Sequence, residues 1–166
     1  MNIRPAEPRD IPSLVALERT SDRAAHWSEE HYTQAVRAES DIAERLFLVA
    51  EATSSNPQNE TAGVARIVAF LVARHLAPEW ELENIVVSAD TRRNGIGAKL
   101  LAMLMARARE TNSTAVFLEV RESNLAGRAL YEKAGFRESG RRKSYYNNPL
   151  EDAVVYTCSI TQGVSL

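Results

Sequence analysis

A strand, a glycine-containing turn and a long amphipathic helix follow one another between residues 84 and 108, and this order limits the fold most. The run NIVV is apolar and β-branched, as is typical of a strand. Behind it lie Gly95 and Gly97, followed by apolar residues at helical spacing. This layout directs unpaired N–H groups and the positive end of a helix dipole toward one place, where a pyrophosphate can bind. A tight turn that merely packs the helix explains the same letters, so both interpretations stay open.

Two common nucleotide-binding motifs do not match this turn. The dinucleotide fingerprint requires a third glycine at the position where this chain has Leu100. The P-loop requires glycine, lysine and then serine or threonine, whereas the chain continues Gly97-Ala98-Lys99-Leu100. The sequence therefore indicates neither a Rossmann site nor nucleoside triphosphate hydrolysis.

The rest of the chain alternates strand-like and helix-like segments without an internal repeat. Asp10 and Ser28 are predicted to cap the first two helices, and Gly135 to end the last one. A loop rich in Ser and Asn joins two apolar strands that we expect to pair as a hairpin. The predicted elements in chain order are strand NIRPAE, helix IPSLVALER, helix SEEHYTQAVRAES, strands RLFLVAEA, ARIVAFLVARHLA and WELENIVVSA, the helix after the glycine turn, strand STAVFLEVRES, helix NLAGRALYEKAG, and strands FRESGRRKSYY and DAVVYTCSI.

Charge and hydropathy exclude several classes of protein. The chain has 166 residues and a net charge of −2, so it lacks the basic surplus of a nucleic-acid-binding domain. No apolar run approaches the roughly 18–20 residues of a membrane span, and MNIRPAEPRD has no apolar export segment. We therefore expect one domain over residues 1–166, in the cytoplasm, with no nucleic-acid or membrane partner. Cys158 lies in a strand-like run and is expected to be a small buried hydrophobe.

The segments RRNGIG and SNLAGRALYEKAGF resemble the two signature motifs of the GNAT family of acetyl-CoA-dependent N-acetyltransferases. In the first, Arg92, Gly95 and Gly97 take the places of the family's arginine or glutamine, glycine, and glycine or alanine. The order of elements is also similar over nearly the whole chain. The resemblance implies an α/β (α+β) GNAT fold, with a central mixed, mostly antiparallel, twisted sheet of about seven strands that splays in the middle and about four helices on both faces. It also implies acetyl-CoA (coenzyme A) as cofactor and no metal.

The same resemblance implies where the cofactor binds. Backbone N–H groups in the glycine turn would hold its pyrophosphate, and the edge of the preceding strand would pair with its pantetheine arm. A capping asparagine of the second motif would contact that arm. The residues assigned to the cofactor are Ile85, Val86, Val87, Arg92, Arg93, Asn94, Gly95, Ile96, Gly97 and Asn124.

Within the family, the chain is most similar to the ribosomal-protein-alanine N-acetyltransferase type. The segments that carry this likeness are ALER, HWSEEHY, LFLVAE, FLEVRESN and RRKSYYNNPLEDAVV. It implies acetylation of a protein N-terminus, with a ribosomal protein as the candidate partner, by a monomer or homodimer. The segments ERTSDRAAHWS and ATSSNPQNETAG depart from the type and bear on the protein target. The alternatives are acetylation of a small amine and a non-catalytic acyl-CoA sensor.

In that type, a glutamate on a central strand acts as base and a tyrosine on the following helix acts as acid. By motif position these match Glu119 and Tyr131. Glu119 shares a strand face with Arg121, so a surface ion pair between them is the alternative. Glu83, on the strand before the glycine turn, is the rival base. An ordinary core position is the alternative for Tyr131.

Other polar and aromatic residues have weaker assignments. His26 and His31 are five residues apart, which does not suit a metal pair on a helix, and His75 is isolated. The basic and aromatic run GRRKSYY is expected to flank a substrate rather than RNA. Trp27 and Tyr32 either attach the second helix to the core or line a peptide groove.

Overall fold

The computed structural model describes residues 1–21, 27–37, 44–53 and 65–160. Within these ranges every element predicted from the sequence is present, and no helix combines the length and apolar character that a membrane crossing needs. The loop of the predicted hairpin, at 54–64, lies outside the described residues. The elements are β1 Asn2–Pro5, α1 Ile11–Arg19, α2 Glu29–Arg37, β2 Arg45–Thr53, β3 Ala65–Leu76, β4 Glu79–Val87, α3 Ile96–Glu110, β5 Ala115–Arg121, α4 Leu125–Lys133, β6 Arg137–Asn147 and β7 Leu150–Ser159.

The strands form one seven-stranded sheet in the order β1-β2-β3-β4-β5-β7-β6. Each neighbouring pair is antiparallel except β4 and β5, which run parallel. These two strands pair only from Glu79 with Ala115 to Leu82 with Leu118, and beyond that point they part. A mixed, mostly antiparallel sheet that opens in its middle is therefore confirmed.

Helices cover both faces of the sheet. Helices α1 and α2 pack on a cluster that includes Phe47 and Phe70, whereas α3 and α4 pack on a cluster that includes Leu71 and Leu118. Because residues of one strand alternate between faces, β3 contributes to both clusters. The apolar stripe that the sequence assigns to the core side of α3 is buried, and it consists of Ile96, Leu100, Leu101, Leu104 and Met105.

A β-bulge in β4 determines which of its side chains face which layer of helices. Glu83 has no opposite residue on β3, although Leu82 and Asn84 on either side of it do. Leu82 packs in the α3 layer, whereas Asn84 and Val86 face α1 and α2. An inserted residue shifts the alternation of a strand in this way. The bulge lies where β4 and β5 part.

The start of α2 and the end of α4 form as the sequence predicts. The Ser28 hydroxyl accepts a hydrogen bond from the His31 N–H at 3.2 Å, and the Trp27 and Tyr32 rings pack with centroids 5.5 Å apart. This is an N-cap with a hydrophobic contact across it. Gly135 follows α4 with a φ of 97°, which disfavours a side chain.

The start of α1 differs from the prediction. Asp10 precedes α1, but its carboxylate does not cap that helix. It accepts the Glu7 N–H at 2.8 Å and binds Arg4 through both carboxylate oxygens. A guanidinium offers stronger, charge-assisted hydrogen bonds than a helix N–H, so the side chain ties the preceding turn to β1 instead.

Candidate active site

The parted ends of β4 and β5 leave a gap, and the β4 edge of this gap presents backbone groups. The Ser88 N–H donates to the Val68 carbonyl of β3 at 2.8 Å. Because backbone groups alternate in direction along a strand, those of Val86 also face β3, whereas those of Ile85 and Val87 face the gap. The main-chain groups of Ile85 and the Val87 N–H are thus left for a ligand in the gap, whereas the groups of Val86 are not.

The turn after β4 carries a run of N–H groups without protein acceptors. From Arg92 to Ala98, no main-chain N–H donates a hydrogen bond to any residue that the structure describes. Arg93 and Gly95 have φ angles of 63° and 74°, a left-handed conformation that occurs in anion-binding nests. The Arg92 Nε donates to the Val87 carbonyl at 3.1 Å and so connects the turn to the strand. Together with the α3 dipole, this arrangement fits a diphosphate.

Glycine is required at the two positions of this turn for different structural reasons. A methyl group on Gly95 would meet no atom within 4 Å, but its positive φ disfavours any side chain. A methyl group on Gly97 would lie 3.0 Å from Leu130 Cδ2 and 3.7 Å from Val87 Cγ2. Gly95 is therefore required by the turn conformation, whereas Gly97 lets the start of α3 pack against α4.

The other side chains of the turn divide between solvent and core. Arg92, Arg93 and Asn94 are exposed around the free N–H groups. Ile96 is buried in the core and offers the site only its backbone. The exposed arginines supply positive charge where the turn presents its amides, so the residues present fit the coenzyme A diphosphate.

Asn124 is the N-cap of α4. Its Oδ1 accepts the Gly127 N–H at 3.0 Å, so that oxygen is already engaged. A methyl group on Gly127 would lie 2.8 Å from the Asn124 amide nitrogen, which explains a glycine that the sequence analysis did not single out. The Asn124 amide nitrogen has no acceptor within the described ranges and is the atom left to contact a cofactor arm.

Glu119 lies at the point where the sheet opens. It follows Leu118, the last residue of β5 that pairs with β4, and its side chain is 14% exposed. Its Oε1 lies 2.7 Å from the Arg142 Nε of β6. The expected alternative partner, Arg121, instead pairs with Glu151 at 3.3 Å. The ion pair of Glu119 is therefore formed across strands rather than along β5.

The GRRKSYY run brings two tyrosines to this position. The Glu119 carboxylate, together with burial, raises the pKa of the Tyr145 hydroxyl. Burial first, and then the same carboxylate, raise the pKa of Tyr146 to about 12. The Tyr146 ring stacks under the Arg121 guanidinium, with 4.2 Å from its carbon to the ring centroid. The run thus forms one side of the gap beside Glu119.

Glu83 occupies the equivalent position on β4. It follows Leu82, the last β4 residue paired with β5, and lies 3.2 Å from Arg45 and 3.4 Å from Arg74. One carboxylate oxygen is buried without an aligned hydrogen bond from any described residue. Burial raises the pKa of this carboxyl against the opposing effect of the two arginines. Two carboxylates therefore flank the opening, and both remain candidates for a base.

Tyr131 approaches the gap from the other face of the sheet. It lies on α4, is 6% exposed, and packs against the rings of Phe136 and Tyr156. Burial raises the pKa of its hydroxyl well above the usual value. That hydroxyl has no hydrogen-bond partner among the described residues, unlike the Tyr156 hydroxyl, which donates to Glu132 at 2.6 Å. A tyrosine that is part of the core thus keeps an uncommitted, protonated hydroxyl.

A buried polar network under the bulge was missed by the sequence analysis. Asn84 donates to Glu18 of α1 at 2.8 Å and to the Tyr32 hydroxyl of α2 at 3.4 Å. Glu18 is 2% exposed, and burial raises the pKa of Tyr32. Tyr32 is therefore a core residue that holds α2 in place. The available signals were an asparagine in an apolar strand and a glutamate at the end of the apolar stripe of α1.

The remaining polar candidates do not form a metal site. Within the described ranges, no group of three His, Cys, Asp or Glu side chains is placed to hold a metal ion. His26 lies outside those ranges, His31 stacks on Trp27, and His75 stacks on Trp80. Cys158 is only half-buried, although burial raises the pKa of its thiol.

Comparison with known proteins points to the same family as the two sequence motifs. A model of the acetyltransferase (GNAT) family matches residues 12–136. The chain is 31% identical over 157 residues to the [ribosomal protein bS18]-alanine N-acetyltransferase of Escherichia coli K12, covering 93% of this chain and 95% of the relative. A crystal structure of the Escherichia coli ribosomal-protein-S18-alanine N-acetyltransferase superposes with a TM-score of 0.73 at 29% identity, covering 99% of this chain and 97% of that one. Arabidopsis thaliana NAA60 in complex with acetyl-CoA shares the fold, with a TM-score of 0.81 at 17% identity and coverage of 96% and 98%.

Proposed function

Because the chain belongs to the GNAT acetyltransferase family and is an acetyl-CoA-dependent N-acetyltransferase, we propose that its acceptor is the N-terminal α-amine of a protein. The observation that carries this proposal is the 31% identity to a bS18-alanine acetyltransferase over 93% of the chain. A ribosomal protein with an N-terminal alanine is the candidate acceptor. We place this activity in one domain over residues 1–166, acting in the cytoplasm.

The chemistry of the reaction favours an α-amine. Attack on a thioester requires a neutral amine, and an α-amine has a pKa of about 7.7–8.0 against about 10.4 for lysine. Deprotonation at pH 7 then costs roughly 1–1.4 kcal/mol for the α-amine and about 4.6 kcal/mol for lysine, at about 1.36 kcal/mol per pKa unit. The α-amine is therefore the easier acceptor at neutral pH.

The cofactor supplies the acetyl thioester, and the chain supplies the groups that hold it. Free N–H groups from Arg92 to Ala98 support binding of the diphosphate. The backbone groups of Ile85 and Val87 that face the gap support binding of the pantetheine arm. The same edge offers oriented N–H groups where negative charge develops on the carbonyl oxygen.

We propose Glu119 as the base. It lies at the opening of the gap, next to the tyrosines of β6, and its side chain is 14% exposed. Glu83 is the alternative, since burial raises the pKa of its carboxyl, although two arginines lie near it as Arg142 does near Glu119. The isosteric variants Glu119→Gln and Glu83→Gln separate them. The first should lower kcat about 10²-fold or more, as expected for loss of a general base, and the second much less. The reverse order would assign the role to Glu83.

We propose Tyr131 as the acid that gives its proton to the departing sulfur. Its raised pKa keeps the hydroxyl protonated at neutral pH, and no described residue accepts its proton. Tyr131→Phe should lower kcat by about 10²-fold while leaving acetyl-CoA affinity nearly unchanged. Tyr156→Phe is the matched control, because that hydroxyl is already bonded to Glu132. Equal turnover of Tyr131→Phe and wild type would contradict the assignment.

The acceptor itself is tested by release of free thiol from acetyl-CoA. A peptide beginning Ala-Arg should be acetylated, and the same peptide with a blocked α-amine and an internal lysine should not. Spermidine serves as the small-amine comparison. Activity on spermidine alone would contradict a protein acceptor. If none of these amines causes the release of thiol, the result would favour a non-catalytic acyl-CoA sensor.

A further inference from the structure

We infer that Arg142 is a latch on Glu119, a guanidinium that occupies in the free enzyme the place the acceptor's ammonium group must take. The inference rests on the proposed function, because it assumes that an amine approaches Glu119. It adds a residue that controls acceptor binding. An amine arrives mostly as a cation, and like charges beside one carboxylate repel each other, so the amine binds best when the guanidinium withdraws.

The contact between Arg142 and Glu119 joins an exposed side chain to a largely buried one. The Arg142 Nε lies 2.7 Å from the Glu119 Oε1, yet the Arg142 side chain is 58% exposed while that of Glu119 is 14% exposed. The Arg142 guanidinium also lies over the Tyr145 ring, at 5.5 Å from the centroid. An exposed arginine loses little packing when it swings away, so the carboxylate stays and the guanidinium leaves.

The backbone of β6 departs from regular pairing just after Arg142. The register of β6 with β7 shifts between Arg142 and Tyr146. Ser144, inside this interval, has a φ of 51°, a left-handed conformation that is uncommon for a residue other than glycine. Arg142, which pairs with Ala153, is therefore the last residue of β6 before the interruption, and its side chain can turn without a change in the ladder.

The charges around Glu119 make Arg142 the cation available to it. Arg121 on the same strand is engaged by Glu151, and the two arginines near β4 are engaged by Glu83. Among the described residues, Arg142 is the cation that Glu119 pairs with. The Glu119 carboxylate also raises the pKa of Tyr145 and of Tyr146 on β6, and Glu81 of β4 adds to the effect on Tyr145.

Steady-state kinetics test the latch. Arg142→Gln should lower the KM for an acceptor peptide about two- to fivefold, as expected for losing a competing, partly exposed ion pair, and leave the KM for acetyl-CoA unchanged. Arg142→Lys should lie close to wild type. Arg141→Gln is the matched control, because Arg141 pairs with Glu122 and Glu138 instead of Glu119. An acceptor KM that rises or stays constant in Arg142→Gln would overturn the inference.

A second measurement does not depend on turnover. The Arg142 Nε resonance in ¹⁵N NMR is assigned by its loss in Arg142→Gln, and Glu119→Gln defines its unpaired position. With coenzyme A present, a peptide with a free N-terminus should move the resonance to that position, and its α-acetylated form should not. A saturating free peptide that leaves the resonance in place would overturn the latch. If wild type acetylates only spermidine, the proposed acceptor is wrong, and displacement of the resonance by spermidine still decides the latch.

Discussion

Replacing Gly95 and Gly97 separately by alanine should change different properties of the enzyme, although the two residues belong to one motif. Gly95 has a φ of 74° and free space around it, whereas Gly97 has Leu130 Cδ2 at 3.0 Å from the position of an added methyl group. The first substitution strains the backbone of the turn, and the second crowds the contact between α3 and α4. We expect the first to weaken cofactor binding and the second to weaken folding.

The magnitudes follow from these geometries. A left-handed alanine costs about 1–2 kcal/mol, and the reduced freedom of the unfolded chain returns about 0.4–1 kcal/mol. Gly95→Ala should therefore lower the free energy of unfolding by at most about 1.6 kcal/mol. If the free turn relaxes to avoid the strain, binding must restore it, and the Kd for coenzyme A then rises about fivefold to thirtyfold. In Gly97→Ala, crowding against Leu130 costs about 1–3 kcal/mol and the unfolded chain returns about 0.4–1 kcal/mol, so folding is weakened by at most about 2.6 kcal/mol.

Calorimetric titration with coenzyme A and urea unfolding measure the two effects in each variant. The Kd of Gly97→Ala should stay within about twofold of wild type. Its folding cost should shrink in a Leu130→Ala background, because the smaller side chain removes the crowding, and contacting residues of this kind are not additive. A larger loss of affinity in Gly97→Ala than in Gly95→Ala, without coupling to Leu130, would refute the division of roles.

Two further predictions concern buried charge. Glu18→Ala should lower the free energy of unfolding, measured in urea, by about 2–4 kcal/mol, because the buried Asn84 amide loses its acceptor and a cavity forms. Glu18→Gln should cost less. Equal costs for the two variants would contradict the network. The Arg4 guanidinium hydrogen-bonds to the Asp10 carboxylate and lowers its pKa, so Asp10 contributes stability above the ordinary aspartate range that is lost as pH falls through the lowered value. Asp10→Asn should therefore show a smaller stability difference between pH 7 and pH 3 than wild type; an identical difference would contradict the linkage.

Local patterns in the sequence were sufficient for the elements and for their order along the chain. The apolar spacing of α3 identified its buried face, and Ser28 and Gly135 marked helix ends because capping depends on neighbours in the chain. The turn after β4 was recognisable because its glycine spacing lies in one contiguous segment. The tight-turn and packing explanation has a physical basis at both positions, in the backbone conformation at Gly95 and in the helix contact at Gly97, whereas diphosphate binding there stays a prediction.

Features that depend on distant partners were not predictable. Asp10 binds Arg4, and Glu119 binds Arg142 rather than the neighbouring Arg121, because the sheet brings together residues that are separated in the chain. The bulge at Glu83 likewise depends on the register with β3. Such pairings decide the electrostatics of the site, so the candidate base was found from the sequence but its surroundings were not.

A crystal structure with bound acetyl-CoA tests the central claim most directly. The account predicts diphosphate oxygens within about 3 Å of main-chain nitrogens between Arg92 and Ala98, and pantetheine amides paired with Ile85 and Val87 at the β4 edge of the gap. A diphosphate bound elsewhere, with those N–H groups left free or bonded to the protein itself, would contradict it.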